Sequence, residues 1–362
     1  EESFDAILDS LTWLGLDWDE GPAVGGDYGP YWQTQRLALY HEAAERLVAK
    51  DRAYYCVCTP ERLAADRKTA EERHDPFQGY QRTCLSIDPV EARRRVDAGE
   101  PHTIRIKVPE DRGDVAIHDA VHGTVTFNAR ELDDFIIVRT DGTPTYNFTT
   151  VVDDTLMRIT HVIRGDDHLS NTPRQVMVYE ALGAPTPAFA HISMILGPDG
   201  KKLSKRHGAT SVEEYRDRGY DADALVNYLA LLGWAPDGET TIVPRDMLAR
   251  EFSLEHVSKN PATFDFKKLD WIQQQYVQAM SDEEFVFQLL MPELVGAGLE
   301  READPAHPKA WYLLLASILK PRPPLAPDVV EKSRFLYEGE DVTFDEKSVS
   351  RNLSRDGAHA AL

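Results

Sequence analysis

Apolar residues return every three or four positions at the start of the chain, at Phe4, Ile7, Leu8, Leu11 and Leu14, and Gly15 is placed to end the helix this spacing predicts. A loop rich in Gly and Pro covers residues 21–30, after which Leu37, Tyr40, Ala44 and Leu47 mark a second amphipathic helix. From about Asp51 to Phe148 the period shortens to alternation. Residues 103–108, 124–127 and 135–138 read as short strands, and Asp141-Gly142 as a hairpin turn. From Val151 the apolar runs lengthen, as strands buried on both faces do, and residues 158–163 read as one of them. Val176, Met177, Tyr179 and Leu182 line the next helix, entered at Pro173 and capped by Asn171 or Thr172. Residues 191–196 form a further buried strand, followed by the turn Gly197-Pro198-Asp199-Gly200 and a helix opened by the capping box Ser211–Glu214. Leu225, Tyr228, Leu229 and Leu232 predict a helix ended by Gly233. Beyond Asp282 the spacing is helical, as in Phe285, Leu289 and Leu290, then Trp311, Leu314, Leu315 and Ile318.

This alternation of strands and helices is an α/β pattern, and 362 residues exceed what one core usually holds, so two to four domains are expected. No apolar run approaches the ~20 residues that cross a bilayer, and the opening Glu1-Glu2-Ser3 is not a secretory signal. Three cysteines cannot build a disulfide framework, which favours a reducing cytoplasm. The net charge of −21 does not exclude nucleic acid, because binding depends on local patches. Basic clusters occur at Arg93-Arg94-Arg95, Lys201 to Arg206, Lys267-Lys268 and Lys320-Pro321-Arg322.

Chemistry concentrates in three places. The first is the loop Lys202-Leu203-Ser204-Lys205-Arg206, which with Lys201 aims cations from a strand end and suits a polyphosphate whose charge grows as a bond breaks. It is not a Walker A loop, since Lys202 follows Gly200-Lys201 where that motif needs Ser or Thr. The second is Arg164-Gly165-Asp166-Asp167-His168, at the carboxyl end of a predicted strand, where open α/β sheets bind ligands. An arginine can grip a carboxylate and an aspartate can accept from an ammonium, so the set suits an acidic amino acid. Asp153 and Asp154 read as strand-end structural residues. The third is Cys56-Val57-Cys58 with Cys84, three thiolates that could pin a hairpin through a metal. Either Tyr80 or His74 could be the fourth ligand, and three reduced thiols without metal are the alternative.

These motifs, in this order, resemble glutamyl-tRNA synthetases of class I. Lys202 to Arg206 is similar to the Lys-Met-Ser-Lys-Ser loop in its Lys-Leu-Ser-Lys-Arg form. Residues 164–173 are similar to Arg-Gly-Glu-Asp-His-Leu-x-Asn-Thr-Pro, departing at Asp166, and residues 31–36, 144–154, 225–234 and 252–271 resemble further family segments. The resemblance implies a Rossmann-like catalytic fold split by an α+β insertion, followed by a mostly α-helical stem-contact and anticodon-binding region. Its parts would be 1–50, the first catalytic half without the N-terminal strand and His-Ile-Gly-His motif; 51–148, an insertion binding the tRNA acceptor end with a candidate zinc site; 149–200, the second catalytic half; 201–281, the lysine loop and stem-contact domain; and 282–362, the start of a helical anticodon domain. It also implies that Tyr146, Arg164, Asp167 and Thr150 bind glutamate, although Thr150 stands where many members have Asn. Lys202 and Lys205, with Leu203, Ser204 and Arg206 around them, would bind ATP with Mg²⁺. Cys56, Cys58, Tyr80 and Cys84 would hold Zn²⁺, and Arg322 would read the anticodon of tRNA(Glu). The implied enzyme is a cytoplasmic monomer; the chain is expected to be a piece of it, inactive alone because no His-x-Gly-His occurs. Three alternatives stand beside this reading. The helical pattern after Asp282 disfavours glutaminyl-tRNA synthetase, and the residues after Phe252 disfavour the short glutamyl-queuosine tRNA(Asp) enzyme. The third is a non-catalytic zinc and tRNA-binding module.

Overall fold

A computed structural model describes residues 2–75, 77, 79–129, 132–301, 305–320, 325–337 and 347. In chain order the elements are α1 (Glu2–Trp13), α2 (Leu37–Ala49), β1 (Ala53–Cys56), α3 (Pro60–Glu72), α4 (Pro89–Asp97), β2 (Thr103–Ile106), β3 (Val115–Asp119), β4 (Gly123–Phe127), β5 (Ile136–Val138) and α5 (Tyr146–Leu156). There follow β6 (His161–Gly165), α6 (Thr172–Leu182), β7 (Ala188–Ile192), β8 (Ile195–Leu196), α7 (Val212–Asp217), α8 (Ala222–Ala230), α9 (Arg245–Glu251), β9 (Ala262–Thr263) and α10 (Phe266–Ala279). The last are α11 (Asp282–Phe285), α12 (Met291–Gly296), α13 (Lys309–Leu319) and α14 (Ala326–Ser333).

Helix α1 ends as its sequence predicts. Gly15 takes φ +63°, and the Leu16 and Gly15 N–H groups donate back to Leu11 and Thr12, a Schellman closure that glycine adopts without Cβ strain. The run from Val151 is different. It lies in α5, where Phe148, Val151 and Val152 are buried on one side, so its apolar residues follow helical spacing and are not a doubly buried strand. Asp153 and Asp154 are therefore helix residues. Asp153 accepts from Arg36 Nε at 2.6 Å and from the Tyr40 hydroxyl, pinning α2 to α5, while Asp154 accepts from Tyr179 at 2.8 Å. The Asp141-Gly142 turn forms, with φ +82° at the glycine, but it returns only to a single bridge between Val138 and Pro144 before α5 begins.

Residues 51–148 supply strands to two sheets. Strands β1, β2 and β5 form an antiparallel sheet, while β3 and β4 join β7 and β6 in the order β4-β3-β7-β6. In the second sheet β3, β7 and β6 run parallel, with Asp119 opposite Phe189 and Arg164 opposite His191. Strand β6 lies at the sheet edge with Ile163 half exposed, and it starts at His161, after Arg158 has turned into the left-handed region (φ +55°). The predicted strand 191–196 divides in two. Ser193 donates to the Lys259 carbonyl, the chain leaves the sheet, and β8 pairs in parallel with β9 instead. A 3₁₀ turn (Asp166–Asn171) feeds straight into α6, so neither Asn171 nor Thr172 caps it through a side chain.

Both sheets share one core with α2, α5 and α6, running from Tyr40 through Ile106, Ile137 and Phe148 to Tyr179. A second core joins Leu14 to Tyr215, Leu225, Tyr228, Phe264 and Leu269, so α1 packs on the region after the lysine loop, reinforced by Ser10–Glu213 and Asp9–Arg216 contacts. A third core holds Phe285, Leu290, Leu294, Leu315 and Leu319. Helix α13 forms where the helical pattern puts it, and the packing chooses its face. Tyr312, Leu315, Ala316 and Leu319 are inward, while Leu314 and Ile318 are more than 60% exposed.

Candidate active site

The parallel strands β6 and β7 end side by side at Gly165 and Ile192, the edge of an α/β sheet that collects ligands. Arg164 is held there on three sides. Its Nε donates to His191 Nε2 at 3.1 Å, and its Nη2 donates to Thr172 Oγ1 and Gln175 Oε1, both at 2.8 Å. Among the described residues Nη1 makes no hydrogen bond. Tyr146 and Thr150 sit one turn apart at the start of α5, so they share a face. The Tyr146 ring is 49% exposed and its hydroxyl is 3.5 Å from His168 Nδ1. Asp167 folds back over the strand end, where a Cβ on Gly165 would come within 2.6 Å of its Oδ1.

The lysine loop is a tight turn on β8. The Gly197 N–H donates to the Lys201 carbonyl, Lys202 bridges to Leu196, and the Leu203 N–H donates to Ile195. Leu203 then packs into the second core, and Ser204 opens a 3₁₀ turn over Lys205–His207. Arg206 and His207 both contact Asp199, at 3.0 and 3.2 Å; the Lys201 N–H first, then His207 and the charge of Arg206, hold the Asp199 carboxyl below its ordinary value. Lys202 reaches across to Asp167, with Nζ 3.7 Å from Oδ2. That contact brings the lysine loop and the Arg164 segment to one site.

Where β1 ends, the Cys56, Cys58 and Cys84 sulfurs lie within 4.8 Å of one another. The Tyr80 hydroxyl is 3.3 Å from Cys56 and 3.7 Å from Cys58, and accepts the Cys84 N–H at 2.9 Å. Hydrogen bonding between Cys56 and Cys84 lowers the first thiol and raises the second. His74 is not part of this group: its backbone is left-handed (φ +54°) and its ring is exposed and bonded to Glu71 O. Arg105 stacks 3.8 Å over the Tyr80 ring and is itself anchored to the Asp134 carbonyl, so the tyrosine is braced from behind.

The family described as tRNA synthetases class I (E and Q), catalytic domain, matches residues 1–271. The chain belongs to this family. The glutamate–tRNA ligase of Moorella thermoacetica is 45% identical over 363 residues, covering 100% of this chain and 73% of that protein. The glutamate–tRNA ligase of Heliobacterium modesticaldum is 50% identical over 87% of this chain and 63% of its own length. The crystal structure of a glutamate tRNA ligase from Elizabethkingia meningosepticum, in complex with its amino acid, superposes with a TM-score of 0.84 at 33% identity, covering 99% of this chain and 74% of that one. Around Arg164 stand three residues that the sequence did not single out as site residues: His191 and Gln175, which it contacts together with Thr172 of the 164–173 segment, and Asp119, which holds His191. For Asp119 and His191 the one sequence signal was a polar residue at an inward position of an otherwise apolar strand; Gln175 lies on α6 among apolar residues. Arg322 lies outside the described residues. Among the described residues, no helix is long and apolar enough to cross a membrane.

Proposed function

We propose that this synthetase joins L-glutamate to tRNA(Glu) in two steps on the site at the ends of β6 and β8. The glutamate α-carboxylate attacks the α-phosphate of ATP and pyrophosphate leaves; the 2′-hydroxyl of the terminal adenosine then attacks the carbonyl of the glutamyl adenylate, forming the ester and releasing AMP and the hydroxyl proton. No side-chain nucleophile is needed, since positioning and charge neutralisation lower the barrier. Arg164 Nη1 and the Tyr146 hydroxyl face the substrate carboxylate, Asp167 takes the ammonium, and Thr150 closes the pocket beside Tyr146. Lys202 and Lys205 offset the charge developing on pyrophosphate, with Leu203, Ser204 and Arg206 holding the loop in shape. Mg²⁺ arrives with the nucleotide in this family and neutralises its phosphates. The observation that carries the reading is the 3.7 Å approach of Lys202 to Asp167, which puts phosphate-binding cations beside the amino-acid pocket.

The thiol cluster is proposed to hold Zn²⁺ through Cys56, Cys58 and Cys84, with Tyr80 as the fourth neighbour. Tetrahedral Zn–S bonds of about 2.3 Å set sulfurs about 3.8 Å apart, which suits a group whose Cys58–Cys84 separation is 3.4 Å. Bound there, the ion would fasten the segment around Cys84 to β1. Residues 51–148 would then grip the tRNA acceptor end, 201–281 its stem and 282–362, with Arg322, its anticodon. The reading is of a monomer in a reducing cytoplasm, which the three free thiols suit. The test is charging by the full-length protein of tRNA(Glu) with labelled glutamate or glutamine and ATP. Glutamate alone should be attached; attachment of glutamine in its place would overturn the assignment.

A further inference from the structure

Three parallel strands carry a line of polar residues into the floor of the site. Asp119 closes β3 at an inward position, His191 lies near the end of β7, and Arg164 stands opposite His191 on β6. The Asp119 and His191 side chains are fully buried. The Asp119 carboxylate can only accept, and it takes the His191 ring nitrogen Nδ1 at 2.6 Å together with the backbone N–H groups of Val121, His122 and His191. The imidazole proton therefore sits on Nδ1, and Nε2 is left with the lone pair that accepts from Arg164 Nε. The guanidinium also lies over the Phe189 ring, 5.6 Å from its centroid. Thr172 Oγ1 lies 3.1 Å from the same Nε2, so both ring nitrogens are satisfied and the imidazole cannot turn without stranding a buried polar atom.

We propose that Asp119 and His191 are positioning residues for this reaction: Asp119 fixes the tautomer of His191, and His191 Nε2 fixes the Arg164 guanidinium so that Nη1 faces the substrate side-chain carboxylate. The proposal rests on Arg164 being the glutamate ligand. Loss of Asp119 frees the imidazole to place an N–H against the guanidinium, and the arginine then turns away although Thr172 and Gln175 remain.

The experiment is steady-state charging of tRNA(Glu) by the full-length protein, in the variants His191→Leu, His191→Gln, Asp119→Asn and Arg164→Ala, with thermal unfolding recorded for each. His191→Leu and Asp119→Asn should raise the glutamate KM about tenfold while leaving the ATP KM within about twofold. His191→Gln, whose amide oxygen can accept from Arg164 Nε, should recover most of that loss. In the Arg164→Ala background, His191→Leu should add nothing, because a residue acting through Arg164 is silent once Arg164 is gone. The positioning role is overturned if Arg164→Ala raises the glutamate KM and neither His191→Gln nor Asp119→Asn behaves as stated, or if the His191 effect persists without Arg164. An Arg164→Ala enzyme with an unchanged glutamate KM would instead remove the glutamate-ligand assignment itself. Should His191→Leu not fold, the Gln and Asn variants carry the same comparison.

Discussion

At the scale of single residues, groups clustered in short runs were legible in the sequence and pairs formed by distant residues were not. Arg164, Asp167, Lys202 and Lys205 fall in short runs whose order has meaning, and the fold brings Lys202 to Asp167 as one site requires. Asp119 and His191 are 72 residues apart and meet only because β3 and β7 are neighbours in the sheet. Their burial has a consequence for acid stability. Desolvation pushes the His191 imidazole below its ordinary value against the pull of Asp119; Arg164 and His122 add to the lowering. Burial would raise the Asp119 carboxyl, but the hydrogen bonds from the His122 N–H, His191 and the Val121 N–H hold it below its ordinary value. Unfolded histidine titrates near ~6.5, so between there and its lower folded value the unfolded chain binds a proton the native chain does not. This contribution is complete above about pH 6.5 and is lost as pH falls through the window below it. Asp119 adds a second loss below about pH 4, through its depressed folded value. Urea unfolding at pH 7.5 and 5.5 should show a stability drop that shrinks in His191→Gln; an undiminished drop would locate the acid sensitivity elsewhere.

At the scale of elements, periodicity identified helices more reliably than it chose their faces or told them from buried strands. The run after Val151 is apolar enough for either, and the spacing of Phe148, Val151 and Val152 resolves it as α5. In α13 apolar residues lie on nearly every side, so Leu314 and Ile318 look as inward as Leu315 until Phe285 and Leu290 pack against the other face. Leu315→Ala should therefore cost about 2–5 kcal/mol, and Leu314→Ala less than about 0.5 kcal/mol. Chemical denaturation of the two variants checks this, and equal losses would put the wrong face inward. The thiol group was legible from spacing, but the choice between Tyr80 and His74 needed the left-handed turn that carries His74 away. If Zn²⁺ is held there, metal analysis should find about one equivalent per chain in the parent protein and none in Cys84→Ser. Chelation should lower the parent Tm and leave the variant unmoved. Metal-free parent protein with an unchanged Tm would leave three reduced thiols as the answer.

At the scale of the whole molecule, the order of motifs announced the family, while the way the parts are joined did not show. Local patterns describe one segment at a time, and the joins are long-range. Strands β3 and β4, from within residues 51–148, pair into the sheet of β6 and β7, and both sheets share one core. Helix α1 packs on α7, beyond the lysine loop, through Leu14 and the Asp9–Arg216 pair. The buried Arg36–Asp153 pair ties α2 to α5, which carries Tyr146. These joins set the lysine loop beside the Arg164 segment, and the proposed reading divides the labour between them: recognition at the end of β6, charge neutralisation on the loop after β8. Single-turnover adenylate formation and equilibrium glutamate binding, measured on full-length Lys205→Ala, test that division most directly. Loss of one such charge should slow the chemical step by about 10²–10³-fold and leave glutamate affinity within about twofold. An unchanged activation rate, or a loss confined to glutamate binding, would contradict it.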